Sequence, residues 1–461
     1  MSRVTAEYRS PLPVSADEAF AWHARPGAFE RLTPPWTEVT LERFDSIRDG
    51  QRAVLRLHAG PFSTRWVAEH HGYIEGRQFC DRQVKGPFRA WDHTHRFEPD
   101  GPEASTLVDH IEYALPLGRL GALAGGRTAR AEIDRMFGYR HRITQNDLAL
   151  HRHYNPERQR LRIAVSGASG LIGSALVPFL TTGGHDVLRL VRTRTDAEDA
   201  IYWNPETGEI EAEKLEGLGA IIHLAGEPVY ALRWTEAKKR RILRSRAEGT
   251  RLLAETLARL KHPPRALLSA SAIGYYGDRG DVVLEEEARP GTGFLADVCR
   301  AWEAAALPAA GAGIRTAQLR IGIVLSPRGG PLGLLLPWFR LGLGGRVGSG
   351  AQYLSWIALD DVLGALYHLL WTDLDGPVNL TAPAPVPMRD FTRTLAHVLR
   401  RPAAVRVPAA AARAAAGEIA DAVLLASTRA IPARLQQSGY SFLFEDLGAA
   451  LRHQLGASIR S

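Results

Sequence analysis

Three glycines, Gly167, Gly170 and Gly173, stand at G-x-x-G-x-x-G spacing in IAVSGASGLIGSALVPFL, between an apolar run and a helix-forming segment. That context gives the spacing its chemistry. The turn needs glycine conformations, a pyrophosphate needs close approach of the backbone, and the helix N-terminus offers free N–H groups and a positive dipole to phosphate. A dinucleotide cradled by Gly167, Ser169, Gly170, Leu171, Ile172 and Gly173 is the expectation. The second strand, Val187 to Val191, ends in Arg192 with no acid beside it. A carboxylate there would hold a free 2′-hydroxyl, whereas arginine accommodates a 2′-phosphate, so NADP(H) is expected over NAD(H).

Other reactive side chains give weaker signals. Tyr275 and Tyr276 follow the apolar run ALLSASA, where a phenol could face a nicotinamide, although no cation neighbours them in sequence. The run KKRRILRSR, Lys238 to Arg246, reads first as a solvated helical face, with Lys238 or Lys239 able to reach a cleft. Cys299, flanked by Val298 and Ala301 with no histidine nearby, reads as core rather than nucleophile. His93 and His95 share one face of a strand, with His110 on the expected neighbour. Three histidines could bind zinc, but a carboxylate-poor set reads better as a hydrogen-bonded patch, and no metal is expected.

The elements that must position these groups fall into two unlike halves. Residues 1–154 read as short strands separated by Gly, Pro and Asp turns (TEVTLERF, RAVLRLHA, TRWVAEHHGYI, RAWDHTHRFE, STLVDHIEYALP). A long helix over about Arg127 to His151 follows, with Ile133, Phe137, Ile143 and Leu148 at roughly helical spacing. An antiparallel sheet wrapped on one helix is expected. A polar linker, Asn155 to Arg160, leads into alternating apolar strands (LRIAVSG, DVLRLVR, AIIHLAG, ALLSASA, RTAQLRIGIVL) and helical segments, which imply a doubly wound α/β parallel sheet over 160–395. Residues 396–461 read as a small C-terminal domain, the Ala-rich stretch Pro402 to Ala416 forming short helices of a lid rather than disorder.

Composition excludes several classes. The 461 residues, 45% of them apolar, suffice for two or three cores. Two cysteines, Cys80 and Cys299, make no disulfide framework and no cysteine-built metal site. The opening MSRVTAEYRS lacks a signal-peptide pattern and no apolar run is long enough for a membrane span, so a soluble cytoplasmic protein is expected. The net charge of +7 is carried by arginine, lysine appearing only at 85, 214, 238, 239 and 261. No nucleic-acid-binding pattern accompanies it, and no nucleic-acid partner is expected.

Taken together, SGASGLIG, IIHLAGEPV, RWTEAKKRRILRSRAEGTRLL, SASAIGYYGDRGD, FLADVCRAWEAAA, RIGIVLSP, LGLGGRVGSGAQYLSWIALDDV and GPVNLTAPAPV resemble the extended short-chain dehydrogenase/reductases, in their epimerase-like branch. The tail GEIADAVLLASTRAIPARLQQSGYSFLFEDLGAAL resembles the small C-terminal domain of an uncharacterised subfamily of that branch. The first half, with PLPVSADEAFAWHARPGAFERLTPPW, resembles the START/Bet v 1-like helix-grip (SRPBCC) fold, which implies an enclosed apolar cavity and a lipid-like ligand. The resemblance implies Leu224, Ala225 and Gly226 along the cofactor and Ser271 assisting proton transfer. Arg246 falls where the extended enzymes carry a buried asparagine, so it is expected to face the site, and Tyr276 is a further catalytic candidate.

The family's tyrosine and lysine, four residues apart, are absent. Glu303, aligned with the glutamate that ends the family's helix, puts Leu295 and Cys299 in their places. No lysine follows Lys261, and no tyrosine lies between Tyr276 and Tyr353. The reading that results is an NADP(H)-binding oxidoreductase or epimerase-like protein with an altered active site, its small-molecule substrate unknown. The alternative is a non-catalytic protein in which NADP(H) sets conformation.

Overall fold

The structure is a computed structural model describing residues 3–116, 118–230 and 233–457. The chain forms two compact units that change over between Gln159 and Arg160, apart from the short stretch Pro178–Gly184, which groups with the first.

The first unit carries seven strands: β1 (Val4–Leu12), β2 (Glu38–Phe44), β3 (Arg52–Ala59), β4 (Phe62–Ile74), β5 (Gln78–Lys85), β6 (Ala90–Pro99) and β7 (Ser105–Ala114). Their order is β1-β7-β6-β5-β4-β3-β2, every pairing antiparallel. Helices α1 (Ala16–Ala24) and α2 (Ala28–Leu32) follow β1, and the 37-residue α3 (Gly118–Tyr154) closes the unit. α1 starts where Ser15 Oγ accepts the Glu18 amide at 3.3 Å, which satisfies one orphan donor of the first turn.

Period-two alternation decides which side of the sheet meets α3. On β6, Trp91, His93, His95 and Phe97 are buried; on α3, Ile133, Phe137, Ile143 and Leu148 answer them. Thr94 pairs with His110 across β6 and β7, so His110 points to the face opposite His93 and His95. There it lies 3.5 Å from Glu7 Oε2 and 3.8 Å from Glu112 Oε1. The three histidines do not form one set.

The second unit is built on eight strands: β8 (Arg162–Ser166), β9 (Asp186–Val191), β10 (Ala200–Asn204), β11 (Glu209–Ile210), β12 (Ala220–His223), β13 (Ala266–Ala272), β14 (Arg315–Ile321) and β15 (Gly376–Leu380). The order is β11-β10-β9-β8-β12-β13-β14-β15, all parallel except the β10–β11 pair. Strand order reverses between β8 and β12, the point at which open α/β sheets leave a crevice beyond their strand ends. Helix α4 (Gly173–Thr182) follows β8, α5 (Glu236–Leu257) follows β12, and α6 (Phe294–Ala305) lies between β13 and β14 in the chain.

The expected single strand RTAQLRIGIVL breaks at Gly322. A Cβ there would lie 2.6 Å from the Ser355 carbonyl oxygen, and beyond it Ile323–Leu325 leaves the main sheet to pair with Trp356–Ala358. In the Ala-rich stretch, Val405–Val407 pairs with Gly345–Val347 and Ala409–Ala416 is helical. Leu447, Leu451 and Leu455 pack with Leu332, Leu336, Trp356 and Phe391 in one core, so the C-terminal residues are continuous with the sheet unit's packing. Among the described residues, no helix is long and apolar enough to cross a membrane.

Candidate functional site

The glycine turn between β8 and α4 is sterically exclusive. Gly167 has φ +68°, and a Cβ on it would sit 2.9 Å from the Ala225 amide nitrogen, because the turn runs against the loop after β12. A Cβ on Gly173 would lie 2.2 Å from the Gly167 carbonyl oxygen, so the first turn of α4 is seated on the turn before it. The Gly170 amide closes that turn onto the Gly167 carbonyl at 2.9 Å. Ser169 and Gly170 are exposed, with Leu171 and Ile172 half-buried beneath them. The exposed Ser169 and Gly170 leave the outer side of this turn open, the property a pyrophosphate site requires.

Ser166 and His223, which the sequence reading passed over, hold the two loops together. Ser166 Oγ accepts the Leu224 amide at 3.1 Å and the Ala225 amide at 3.2 Å. Its own proton is therefore free for His223 Nδ1, 2.7 Å away, while His223 Nε2 lies 3.0 Å from Thr250 Oγ1. Burial pushes the His223 imidazole down to about 4. A group whose folded value lies below its unfolded one near 6.5 takes up a proton first in the unfolded chain. Its contribution is complete above about pH 6.5 and is lost as pH falls to about 4, of the order of 3 kcal/mol. Melting curves between pH 7.5 and 4.5 should accordingly fall more steeply for the native chain than for His223→Gln, and equal slopes would remove His223 as the cause.

Beyond β13 and β14 lies a buried polar chain. Arg320 grips Glu303 with two bonds, Nε to Oε1 at 2.8 Å and Nη2 to Oε2 at 2.9 Å. Ser271 donates to the same Glu303 Oε1 at 2.7 Å. Arg320 Nη1 donates to Tyr276 Oη at 3.0 Å and to the Glu286 carbonyl at 2.8 Å, and Tyr276 in turn donates to Asn379 Oδ1 at 2.7 Å. Tyr276 is wholly buried, and burial pushes its phenol up to about 12. Burial works against the Arg320 charge, but Glu303 holds the guanidinium above its ordinary value.

Tyr275, half-buried, lays its ring under that guanidinium, whose central carbon is 3.5 Å from the ring centre. The cation that sequence proximity could not show is brought to it by the neighbouring strand. Arg320 was legible only as a charged residue inside the apolar run TAQLRIGIVL, and Asn379 and Glu286 gave no signal.

Arg246 lies between the loop after β12 and α6. Its Nη1 donates to the Glu227 carbonyl at 2.8 Å, its guanidinium stacks 4.7 Å above Trp302, and a Cβ on Gly226 would come within 3.2 Å of its Cζ. Desolvation lowers it from the usual arginine value. Lys238 pairs with Glu227 at 2.6 Å and Lys239 with Glu418, so both lysines of the basic run are engaged. Arg233 donates to the Ala414 and Ala415 carbonyls, which ties the segment after β12 to the Ala-rich helix. Leu295 and Cys299 pack against Gly274, and burial pushes the Cys299 thiol up to about 11. Arg192 is exposed just past β9.

Residues 163–380 match the model of the NAD dependent epimerase/dehydratase family, residues 12–137 that of polyketide cyclase/dehydrase and lipid transport, and residues 407–454 a domain of unknown function, DUF1731. An epimerase family protein of Mycobacterium bovis is 43% identical over 290 residues, 63% of this chain and 96% of that one. The crystal structure of a nucleoside-diphosphate sugar epimerase from Corynebacterium glutamicum aligns over 98% of this chain and 90% of its own, with TM-score 0.81 and 32% identity. The human epimerase family protein SDR39U1 (isoform 2), solved with NADPH, aligns over 64% of this chain and 99% of its own, with TM-score 0.59 and 33% identity.

Proposed function

The chain belongs to the NAD dependent epimerase/dehydratase family, and from that premise we propose that it is an NADP(H)-dependent oxidoreductase or epimerase acting on a small hydroxyl- or carbonyl-bearing substrate. The observation that carries the cofactor is the glycine turn, whose Gly167 and Gly173 leave no room for a Cβ and whose outer positions Ser169 and Gly170 are exposed. Gly167, Ser169, Gly170, Leu171, Ile172 and Gly173 would hold the pyrophosphate, Leu224, Ala225 and Gly226 the middle of the molecule, and Arg192 the 2′-phosphate. The NADPH held by the human relative supports this choice. When bound, the nicotinamide supplies or takes a hydride.

The chain's own residues must then move the matching proton on the substrate oxygen. Tyr276 is badly placed for that work, since its hydroxyl is engaged with Asn379 and Arg320. Tyr275 is the better group: it is half-exposed, and negative charge developing on its oxygen meets the fixed Arg320 cation. Ser271, bonded to Glu303, and Arg246, on the Trp302 ring, would orient the substrate oxygen. A non-catalytic, NADP(H)-sensing role is favoured by one observation, the packing of Leu295 and Cys299 where the resemblance would put the family's tyrosine and lysine.

Calorimetric titration of the native chain and of Arg192→Glu with NADPH and NADH tests the cofactor. NADPH should bind the native chain more tightly than NADH, and the substitution should weaken NADPH alone, by 10- to 100-fold. Equal affinities for the two nucleotides would overturn the assignment. A product from a panel of carbonyl and sugar-nucleotide substrates would decide for turnover.

A further inference from the structure

The interior of the first unit is not uniformly apolar. One aromatic cluster, with Phe20, Phe79 and Phe97, and another, with Trp91, Tyr113 and Phe137, flank a group of charged and polar side chains. Asp81 faces His93 across β5–β6 and His95 faces Asp109 across β6–β7, while His141 comes from α3. His93 and Asp109 are 2% exposed, His141 5% and His95 8%.

The two nitrogens of each strand histidine look in different directions. Towards β5, His93 Nδ1 lies 3.1 Å and His95 Nε2 3.8 Å from Asp81 Oδ2, and a donor atom from each of the three residues lies within 4.8 Å of the other two. Ligands of one tetrahedral zinc stand roughly 3.3 Å apart, the separation implied by bonds of about 2.0 Å. On the other side, Asp109 Oδ1 lies 3.3 Å from His93 Nε2 and 2.7 Å from His95 Nδ1, and its Oδ2 lies 2.9 Å from His141 Nε2. His141 is held in turn by Ser10 Oγ, 2.8 Å from its Nδ1. A carboxylate behind the far nitrogen of each imidazole is the arrangement that orients metal-binding histidines.

We propose that the first unit binds one divalent transition-metal ion through Asp81, His93 and His95, with Asp109 and His141 as the supporting layer. Asp81 and Asp109 set two negative charges against the two of the ion, and the Arg140 guanidinium lies near enough to feel both carboxylates. Ring contacts fix the ligands: Phe79 stacks on His95 with centroids 4.3 Å apart, and Phe137 meets His93 edge-on at 5.1 Å. Three protein ligands leave a fourth position for water or a ligand oxygen, and Asp81, whose side chain is 17% exposed, marks the side of entry. Two histidines and one carboxylate suit zinc or iron(II), and the test uses zinc and cobalt(II) as probes.

The full chain, freed of any histidine tag and stripped with a chelator, should take up one equivalent of Zn2+ and give visible d–d absorption with Co2+. Asp81→Ala should abolish stoichiometric uptake, Asp109→Asn should weaken it 10- to 100-fold, and His110→Ala should leave it unchanged. Uptake well below one equivalent, or uptake indifferent to Asp81→Ala, would overturn the proposal in favour of a purely hydrogen-bonded cluster. Should the variants fail to fold, the native chain decides: saturating Co2+ without d–d bands also overturns it.

Discussion

Arg320→Ala should cost the sheet unit about 3–5 kcal/mol in a urea titration, because it leaves Glu303 charged and largely desolvated with only Ser271 to answer it. Glu303→Gln should fall in the same direction, stranding the guanidinium instead. Removing both charges in Arg320→Met/Glu303→Leu should be less damaging than either single change, since neither desolvated charge is then left alone. A double variant as unstable as the sum of the singles would show that the pair acts as two independent contacts. The same substitution should reach the cleft, because Arg320 also holds Tyr276 Oη at 3.0 Å and lies over the Tyr275 ring.

Gly173→Ala should weaken cofactor binding severely without removing a single polar group. Its new methyl would lie 2.2 Å from the Gly167 carbonyl oxygen and 2.7 Å from the Ala168 Cα, both backbone positions that no rotamer change can relieve. Either the turn opens or α4 shifts, and each displaces the amides from the pyrophosphate. The expected loss of NADPH affinity is at least about a hundred-fold, roughly 3 kcal/mol. Gly170→Ala, where the corresponding contact is 3.2 Å, should cost markedly less. Unchanged NADPH affinity in Gly173→Ala, read by calorimetry, would move the nucleotide away from this turn.

What the sequence discloses follows the range of the interactions involved. The glycine turn and the alternation of ALLSASA with helical segments are local, and the α/β sheet follows from them. The strands β1 and β5 escape the reading for different reasons: VTAEYRSPL alternates but carries Pro11, which counts against a strand, whereas QFCDRQVK sets Phe79 beside Cys80 and breaks the alternation; pairing with β7, β4 and β6 makes them strands. The choice between Tyr275 and Tyr276 rests on Arg320, more than forty residues further on. The grouping of His93 and His95 with Asp81 and Asp109 rather than with His110 is likewise a matter of register between strands.

The pairing of β1 with β7 also sets a timetable. Val4 lies opposite Tyr113 and Leu12 opposite Ser105, so β1 has no partner until about a hundred further residues have been made. A contact so distant in the chain carries a large loop-closure entropy and comes late in folding. Until then β1 stays without its ladder partner while β2 to β6 can assemble as hairpins, and the sheet gains that edge only after β7 has been made.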